Sequence, residues 1–283
     1  MPRPHVEFIQ VQSVAWSDES TLRLQRAARV KLLNADPERT DCTALVEYSS
    51  RASPMTPFHR SGSEELFVLS GEINLNGMPL RRHYYAYLPA GYERKRVECP
   101  TGALVLTFLS GGDGDILGPN PRNVPAGPPP QIVDTPAMQW DGSTIDPRLA
   151  HLRLSRKILR ISTEEPCRTY LLAGLPHGRP AGSTLQLERH EYAEEMYLIS
   201  GDMASPQGVM RPGAYFYRPR DKVHGPHFSD NGFFMFLRNR GTTSIRTEWM
   251  GDSRSLPMDP PYDPILPFDA PAAWRQPYRG ADD

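Results

Sequence analysis

The chain has 283 residues, of which 39% are hydrophobic and 23% are charged, as is typical of a soluble globular protein. Its 32 lysines and arginines nearly balance its 33 aspartates and glutamates, which disfavours a nucleic-acid partner. No apolar run is long enough to cross a bilayer, and the first residues lack the apolar segment of a secretory signal. We therefore expect a cytoplasmic protein that has neither a membrane nor a nucleic acid as its partner.

Short apolar runs, separated by turn residues, follow one another along the chain. Its 30 prolines and 22 glycines disfavour long helices. The runs have the length of β-strands, and many short strands at regular spacing are typical of a sandwich or barrel. The candidate strands are residues 44–48, 66–69, 84–88, 103–109, 169–173, 184–187, 196–199, 215–217 and 233–237.

The sequence repeats itself at a long period. The segment from Glu64 to Glu72 reappears, with nearly every position identical or similar, from Glu194 to Asp202, 130 residues later. Earlier landmarks repeat at a similar distance, because Trp16, Lys31 and Cys42 match Trp140, Lys157 and Cys167. Such self-similarity indicates an internal duplication.

The duplication divides the chain into two units. We expect an N-terminal unit at residues 1–118, a proline-rich linker at 119–132 and a second unit at 133–245. The proline-rich tail at 246–283 contains aromatic residues, which favours packing on a domain surface, although its composition is equally compatible with disorder.

Two motifs of ionisable and turn-forming residues lie in the second unit. They read Glu188-x-His190-x3-Glu194-x6-Gly201 and Gly213-x5-Pro219-x-Asp221-x2-His224. Together they resemble the two motifs of the cupin family, which has histidine at the position of Glu188 and glycine at that of Asp221. The tryptophan, Lys-Leu-Leu and Glu-Glu landmarks are similar to those of the ChrR-like branch. The resemblance implies an all-β fold of two tandem cupin barrels of the double-stranded β-helix, or jelly-roll, type.

The resemblance also implies a metal site in the second barrel. His190, Glu194 and His224 are the expected ligands, with Glu188 as a fourth ligand or as a base beside the metal. Two imidazoles and a carboxylate suit Fe(II), while Mn, Ni and Zn remain open. The alternative is that these groups only pack or hydrogen-bond inside the barrel, but burying several ionisable groups without a partner is costly.

Further residues are candidates for the substrate pocket. Met196 and Leu198 alternate with the same parity as Glu194, so they are expected to line an apolar pocket with it. Tyr217 is a candidate for stacking on the substrate, although barrel wall is its more common role. His227, three residues after His224, is a weaker ligand candidate or a substrate-orienting group.

The first unit lacks a complete ligand set. His59, Glu64 and Gly71 fit the first motif, but Pro57 stands where another ligand is expected. Arg94 takes the place of the histidine of the second motif, and a cation there opposes a divalent metal and is free to pair with Glu64. We therefore expect this barrel to be degenerate and structural, with an anion-binding site or an unusual metal site as the alternatives.

These features predict a metal-dependent oxygenase, of the dioxygenase type, that acts on a small diketone, enol or phenolic compound. Glu188 or Glu194 is the expected acceptor of the substrate proton. The alternatives are a non-catalytic ligand-binding or sensor protein, and a metal-free isomerase that uses a histidine as base. A homodimer is expected only because cupins commonly pair through sheet edges.

Overall fold

A computed structural model describes residues 3–17, 28–36, 41–50, 57–112, 115–120, 127–178, 182 and 184–278. In this part of the chain the only helices are three short 3-10 turns, at Val11–Ser13, Pro147–Leu152 and Ala272–Arg275. No helix of the described residues is long and apolar enough to span a membrane. The predicted all-β class is therefore confirmed.

The strands of the first half, in chain order, are β1 (Val6–Gln10), β2 (Ala28–Ala35), β3 (Cys42–Tyr48), β4 (Phe58–Arg60), β5 (Ser63–Leu75), β6 (Met78–Arg81), β7 (Tyr84–Leu88), β8 (Val97–Glu98), β9 (Ala103–Ser110), β10 (Asp115–Leu117) and β11 (Gln131–Asp134). Those of the second half are β12 (Leu154–Ser162), β13 (Cys167–Gly174), β14 (Thr184–Arg189), β15 (Ala193–Gly201), β16 (Met203–Ser205), β17 (Gly208–Met210), β18 (Ala214–Arg218), β19 (Phe233–Arg240) and β20 (Glu248–Ser255).

The chain forms two compact units, each with a large antiparallel sheet. In the first unit the strand order is β11-β7-β5-β9-β3-β2, with β6 and β8 also paired to β5. In the second unit it is β1-β18-β15-β19-β13-β12. Smaller two-stranded sheets add β4–β10 to the first unit, and β14–β20 and β16–β17 to the second. Each unit therefore repeats one strand plan.

The repeat extends to individual side-chain contacts. The ammonium group of Lys31 lies 4.9 Å from the ring centroid of Trp16, and that of Lys157 lies 4.6 Å from the ring centroid of Trp140. These are the landmarks that suggested the duplication. Both units also contain a β-bulge at the same position, between Val68 and Ser70 in one and between Leu198 and Ser200 in the other.

The unit boundaries differ from the expected ones at both ends of the first unit. Strand β1 pairs with β18, so residues 4–14 belong to the second unit and not to the first. Strand β11, which lies at the end of the expected linker, pairs with β7 and completes the first unit. In each case the added strand covers what is otherwise an exposed sheet edge.

The tail beyond residue 245 packs on the second unit as far as it is described. Strand β20 pairs with β14, and the hydroxyl of Tyr262 donates a hydrogen bond to the carbonyl of Phe8, at 2.9 Å. The rings of the same two residues meet edge to face, with their centroids 5.3 Å apart. Part of the expected tail thus supplies a strand next to the candidate ligands on β14.

The turn at Gly201 provides a stability test of the strand plan. Gly201 has φ +83°, and a Cβ atom there would collide with the carbonyl oxygen of Gly232. We expect Gly201→Ala to lower the free energy of unfolding by about 2 kcal/mol or more, because a positive φ strains any side chain. Urea unfolding measures the change. Gly251→Ala is the control, since nothing lies near that position; equal losses for the two variants would contradict the assignment.

Candidate metal centre

A backbone bridge brings the two sequence motifs together. Glu188 lies on β14, and its N–H donates to the carbonyl of His224, at 3.0 Å. The N–H of His224 donates back to the carbonyl of Glu188, at 2.9 Å. His190 follows two residues after Glu188 in an extended segment, so the two side chains point to the same side. The bridge thus places three ionisable side chains on one side.

These three side chains form a compact donor cluster. Glu188, His190 and His224 each offer one ligand atom, and the three atoms all lie within 4.8 Å of one another. The ring centroids of His190 and His224 are 5.0 Å apart, and both residues are buried. Within the described residues this is the one such cluster, and two imidazoles with one carboxylate can share a single cation.

Both imidazoles are oriented by backbone carbonyls. The Nδ1 atom of His190 lies 2.9 Å from the carbonyl oxygen of Arg246, and that of His224 lies 2.9 Å from that of Lys222. A carbonyl oxygen only accepts, so Nδ1 carries the proton in each ring and Nε2 keeps its lone pair. This is the arrangement by which metal-bound histidines are usually held.

Burial shifts the proton affinity of the cluster. It raises the pKa of Glu188 to about 7, although the neighbouring His190 opposes the shift. Burial, with the charge of Arg218, lowers the pKa of His224 well below its ordinary value. The same causes lower the pKa of His227 to about 4. His224 and His227 are therefore neutral at pH 7, and an imidazole such as that of His224 must be neutral in order to bind a metal.

Glu194, an expected ligand, lies outside the cluster. The register of β15 and β18 pairs Glu194 directly with Arg218, whose Nη1 donates to Glu194 Oε2 at 2.8 Å. Arg218 is fully buried and also forms a two-bond ion pair with Glu7, with Nε donating to Glu7 Oε2 at 2.9 Å. Glu188, expected as a fourth ligand or as a base, instead takes the carboxylate position of the cluster.

Neither Glu7 nor Arg218 was among the predicted site residues. Arg218 immediately precedes Pro219 of the second motif, and its inward parity was a usable signal. Glu7 reaches the site because β1 pairs with β18 of the second unit. It is therefore more than 200 residues away in sequence from Arg218, its partner.

A cavity opens beside the donor cluster. It has a volume of about 100 Å³ and shares several lining residues with an outer cleft of about 330 Å³. Glu188, His190, Glu194 and His224 form part of its wall. The remaining wall is mostly apolar and includes Leu152, Leu172, Phe216, Phe233, Met235 and Leu237.

Of the four expected pocket residues, only His227 lines this cavity. Met196 and Leu198 do face inward but are fully buried within the apolar core of the unit. Tyr217 alternates with Phe216 and Arg218, which line the cavity, so it lies on the opposite face of β18. These three assignments are corrected, because parity fixes the face of a strand but not the depth along it.

The first unit keeps the backbone geometry and changes the chemistry. Phe58 and Arg94 form the same two-bond bridge as Glu188 and His224, with N···O distances of 3.2 and 2.8 Å. Arg60, not His59, follows at the position of His190. Both arginines bond Glu64, at 2.8 and 2.6 Å, so the predicted pairing of Arg94 with Glu64 is confirmed. Two buried cations thus replace the two imidazoles.

The family and the fold follow from comparison with known proteins. Residues 7–246 match the model of a protein family described as a domain of unknown function, DUF4437. The chain belongs to this family. The match runs from β1 through the end of β19, so it includes the main sheets of both units of this DUF4437 protein. No curated protein matches the sequence.

Solved structures show that the fold is that of cupins. A protein of Nostoc punctiforme PCC 73102 described as a "putative dioxygenase" is 19% identical, with a TM-score of 0.73 over 89% of this chain and 88% of that one. Oxalate decarboxylase from Bacillus subtilis is 11% identical, with a TM-score of 0.57 over 86% and 79%. A cupin 2 conserved barrel domain protein from Leptotrichia buccalis is 10% identical, with a TM-score of 0.51 over 84% and 97%. The predicted fold of two tandem cupin barrels is thereby confirmed.

Substitutions of the two carboxylates are expected to have different effects on metal binding. Glu188→Gln should weaken Mn(II) binding by at least about 100-fold, since even residues that only orient ligands contribute 10–100-fold. Glu194→Gln keeps an oxygen for Arg218 and removes no ligand atom, so it should weaken Mn(II) binding by no more than about tenfold. Titration followed by the electron paramagnetic resonance of free Mn(II) measures both. Loss of binding in Glu194→Gln alone would restore Glu194 as the ligand.

Proposed function

We propose that the second barrel binds one divalent cation through Glu188 and the Nε2 atoms of His190 and His224, and that it is an oxygenase. The observation that carries this proposal is the donor cluster itself, in which both imidazoles are buried and fixed by carbonyls. Three protein ligands leave coordination positions open for a substrate and dioxygen. The residues present therefore fit a catalytic cation better than a closed structural one.

Iron(II) is the cation that we propose. Two histidines and one carboxylate on one side of a cation are typical of non-haem Fe(II) oxygenases, whereas Mn, Ni and Zn fit the same ligands less specifically. The oxalate decarboxylase of Bacillus subtilis has Mn(II) centres, so manganese is the first competitor to test.

The bound cation would supply a Lewis acid that holds an enolate-like substrate and dioxygen together. The protein residues would do the rest. Glu194 lines the cavity with one oxygen held by Arg218, which leaves the other oxygen to accept the substrate proton. The apolar wall excludes water, and a volume of about 100 Å³ restricts the reacting end of the substrate to a few atoms. A small diketone, enol or phenolic compound fits these limits.

The likeness to the ChrR-like branch, the homodimer and the cytoplasmic location stay predictions. A non-catalytic ligand-binding or sensor protein and a metal-free isomerase are the alternatives, and metal analysis together with oxygen uptake distinguishes them from an oxygenase.

Two histidine variants test the proposed function. Protein made without a histidine tag is loaded anaerobically with Fe(II), and bound metal and oxygen uptake with 2,4-pentanedione and catechol are recorded. His190→Ala and His224→Ala should each lose the metal and the uptake, because each removes a ligand. His59→Ala is the matched control and should keep both, since the hydrogen bond that His59 makes among the described residues is to the Gly118 carbonyl of the first unit, at 3.3 Å.

Three results would contradict the oxygenase. Stoichiometric zinc without oxygen uptake would favour the sensor, and an intact fold without any metal would favour the isomerase. Full metal retention in both histidine variants would reject the assigned ligands.

A further inference from the structure

A buried cation that has no ion-pair partner among the described residues lines the same cavity. Arg156 lies on β12 and is 6% exposed. Its Nη1 donates to the carbonyl of Thr144, at 3.2 Å, and its guanidinium lies 5.6 Å from the ring centroid of Tyr170. Its Nε atom is buried and has no hydrogen-bond partner. Within the described part of the chain, no carboxylate lies within ion-pair distance of this residue.

Burial of such an arginine lowers the stability of the folded state. A buried guanidinium normally has a carboxylate partner and satisfied donors, because desolvation of an unpaired charge is strongly unfavourable. One carbonyl and the face of Tyr170 offset only part of that cost. The other arginine of the wall is different, since Arg218 is neutralised by Glu7 and Glu194.

The fold itself does not require an arginine there. Val30 stands at the equivalent position of the first unit: it pairs with Val46 as Arg156 pairs with Leu172, and its carbonyl accepts from Ser17 as that of Arg156 accepts from Asp141. Val30 is buried in an apolar cluster. The strand pairing is therefore compatible with a small apolar side chain at this position, so the fold does not explain the arginine of the second unit.

We propose that Arg156 binds a carboxylate group of the substrate. The inference rests on the proposed function for the position of the reacting group. A guanidinium presents a planar fork of donors that matches a carboxylate, and Arg156 lines the same cavity as Glu188, His190 and His224. The substrate class becomes a short oxo or enol acid, with its carboxylate on Arg156 and its enolisable carbonyl beside the donor cluster.

A matched pair of probes tests this assignment. 2,4-Dioxopentanoate carries a carboxylate in place of one terminal methyl group of 2,4-pentanedione, and both are titrated calorimetrically into Mn(II)-loaded protein and into protein held in EDTA. The wild type should bind the anion at least about tenfold more tightly, as a charged hydrogen bond of ordinary strength provides. Arg156→Met should reduce this preference to about twofold or less, with its Mn(II) content unchanged.

Arg148→Met is the control variant. Arg148 is the cation of the outer cleft and stacks on Trp249, so it tests whether any nearby positive charge gives the same effect. It should keep the preference. If Arg156→Met does not fold, Arg156→Lys retains the charge without the planar fork and should still lose most of the preference.

The inference is overturned if Arg156→Met or Arg156→Lys keeps the wild-type preference, if the wild type shows none, or if Arg148→Met alone loses it. The EDTA arm separates the two proposals. If the protein fails to take up Mn(II) but still shows an anion preference that depends on Arg156, the metal-dependent oxygenase is refuted and the carboxylate site is supported. If the protein takes up Mn(II) but its anion preference does not depend on Arg156, the carboxylate site is refuted and the metal site of the proposed function stands.

Discussion

The candidate site depends on one pair of backbone hydrogen bonds, which join Glu188 on β14 to His224 in the segment after β18. This bridge places the second motif against the first and fixes which side chains meet. The first unit keeps the bridge between Phe58 and Arg94 but not the ligands. The duplicated fold therefore supplies geometry to both units, and a few side-chain identities decide whether that geometry presents cation ligands or cations.

Among the described residues of the cavity wall, one buried arginine is compensated by ion pairs and the other is not. Arg218 sits between Glu7 and Glu194, and removing one partner of such a buried pair typically costs about 3–5 kcal/mol. This pairing withdraws Glu194 from the ligand atoms and leaves Glu188 as their carboxylate. Arg156 is the exception, and its position in the same wall makes a substrate anion its natural counter-charge.

The sequence predicted more of the fold than of the site. Strand-length runs and the repeat at Glu64 and Glu194 were enough for two all-β units, because both signals can be read from the sequence without knowledge of the strand pairing. The partners of β1 and the contact of Glu7 with Arg218 were not predictable, since they join residues 211 positions apart and depend on the sheet order. Motif spacing correctly brought His190 and His224 together, but it did not reveal the cross-strand register that gives Glu194 to Arg218.

Anomalous diffraction from crystals loaded with Mn(II) tests the central claim most directly. The account predicts a single strong peak in the second barrel, within bonding distance of one Glu188 oxygen and of the Nε2 atoms of His190 and His224, with Arg218 still bonded to Glu194. A peak on Glu194 with Arg218 displaced, or the absence of any peak between these three side chains at saturating Mn(II), would contradict it.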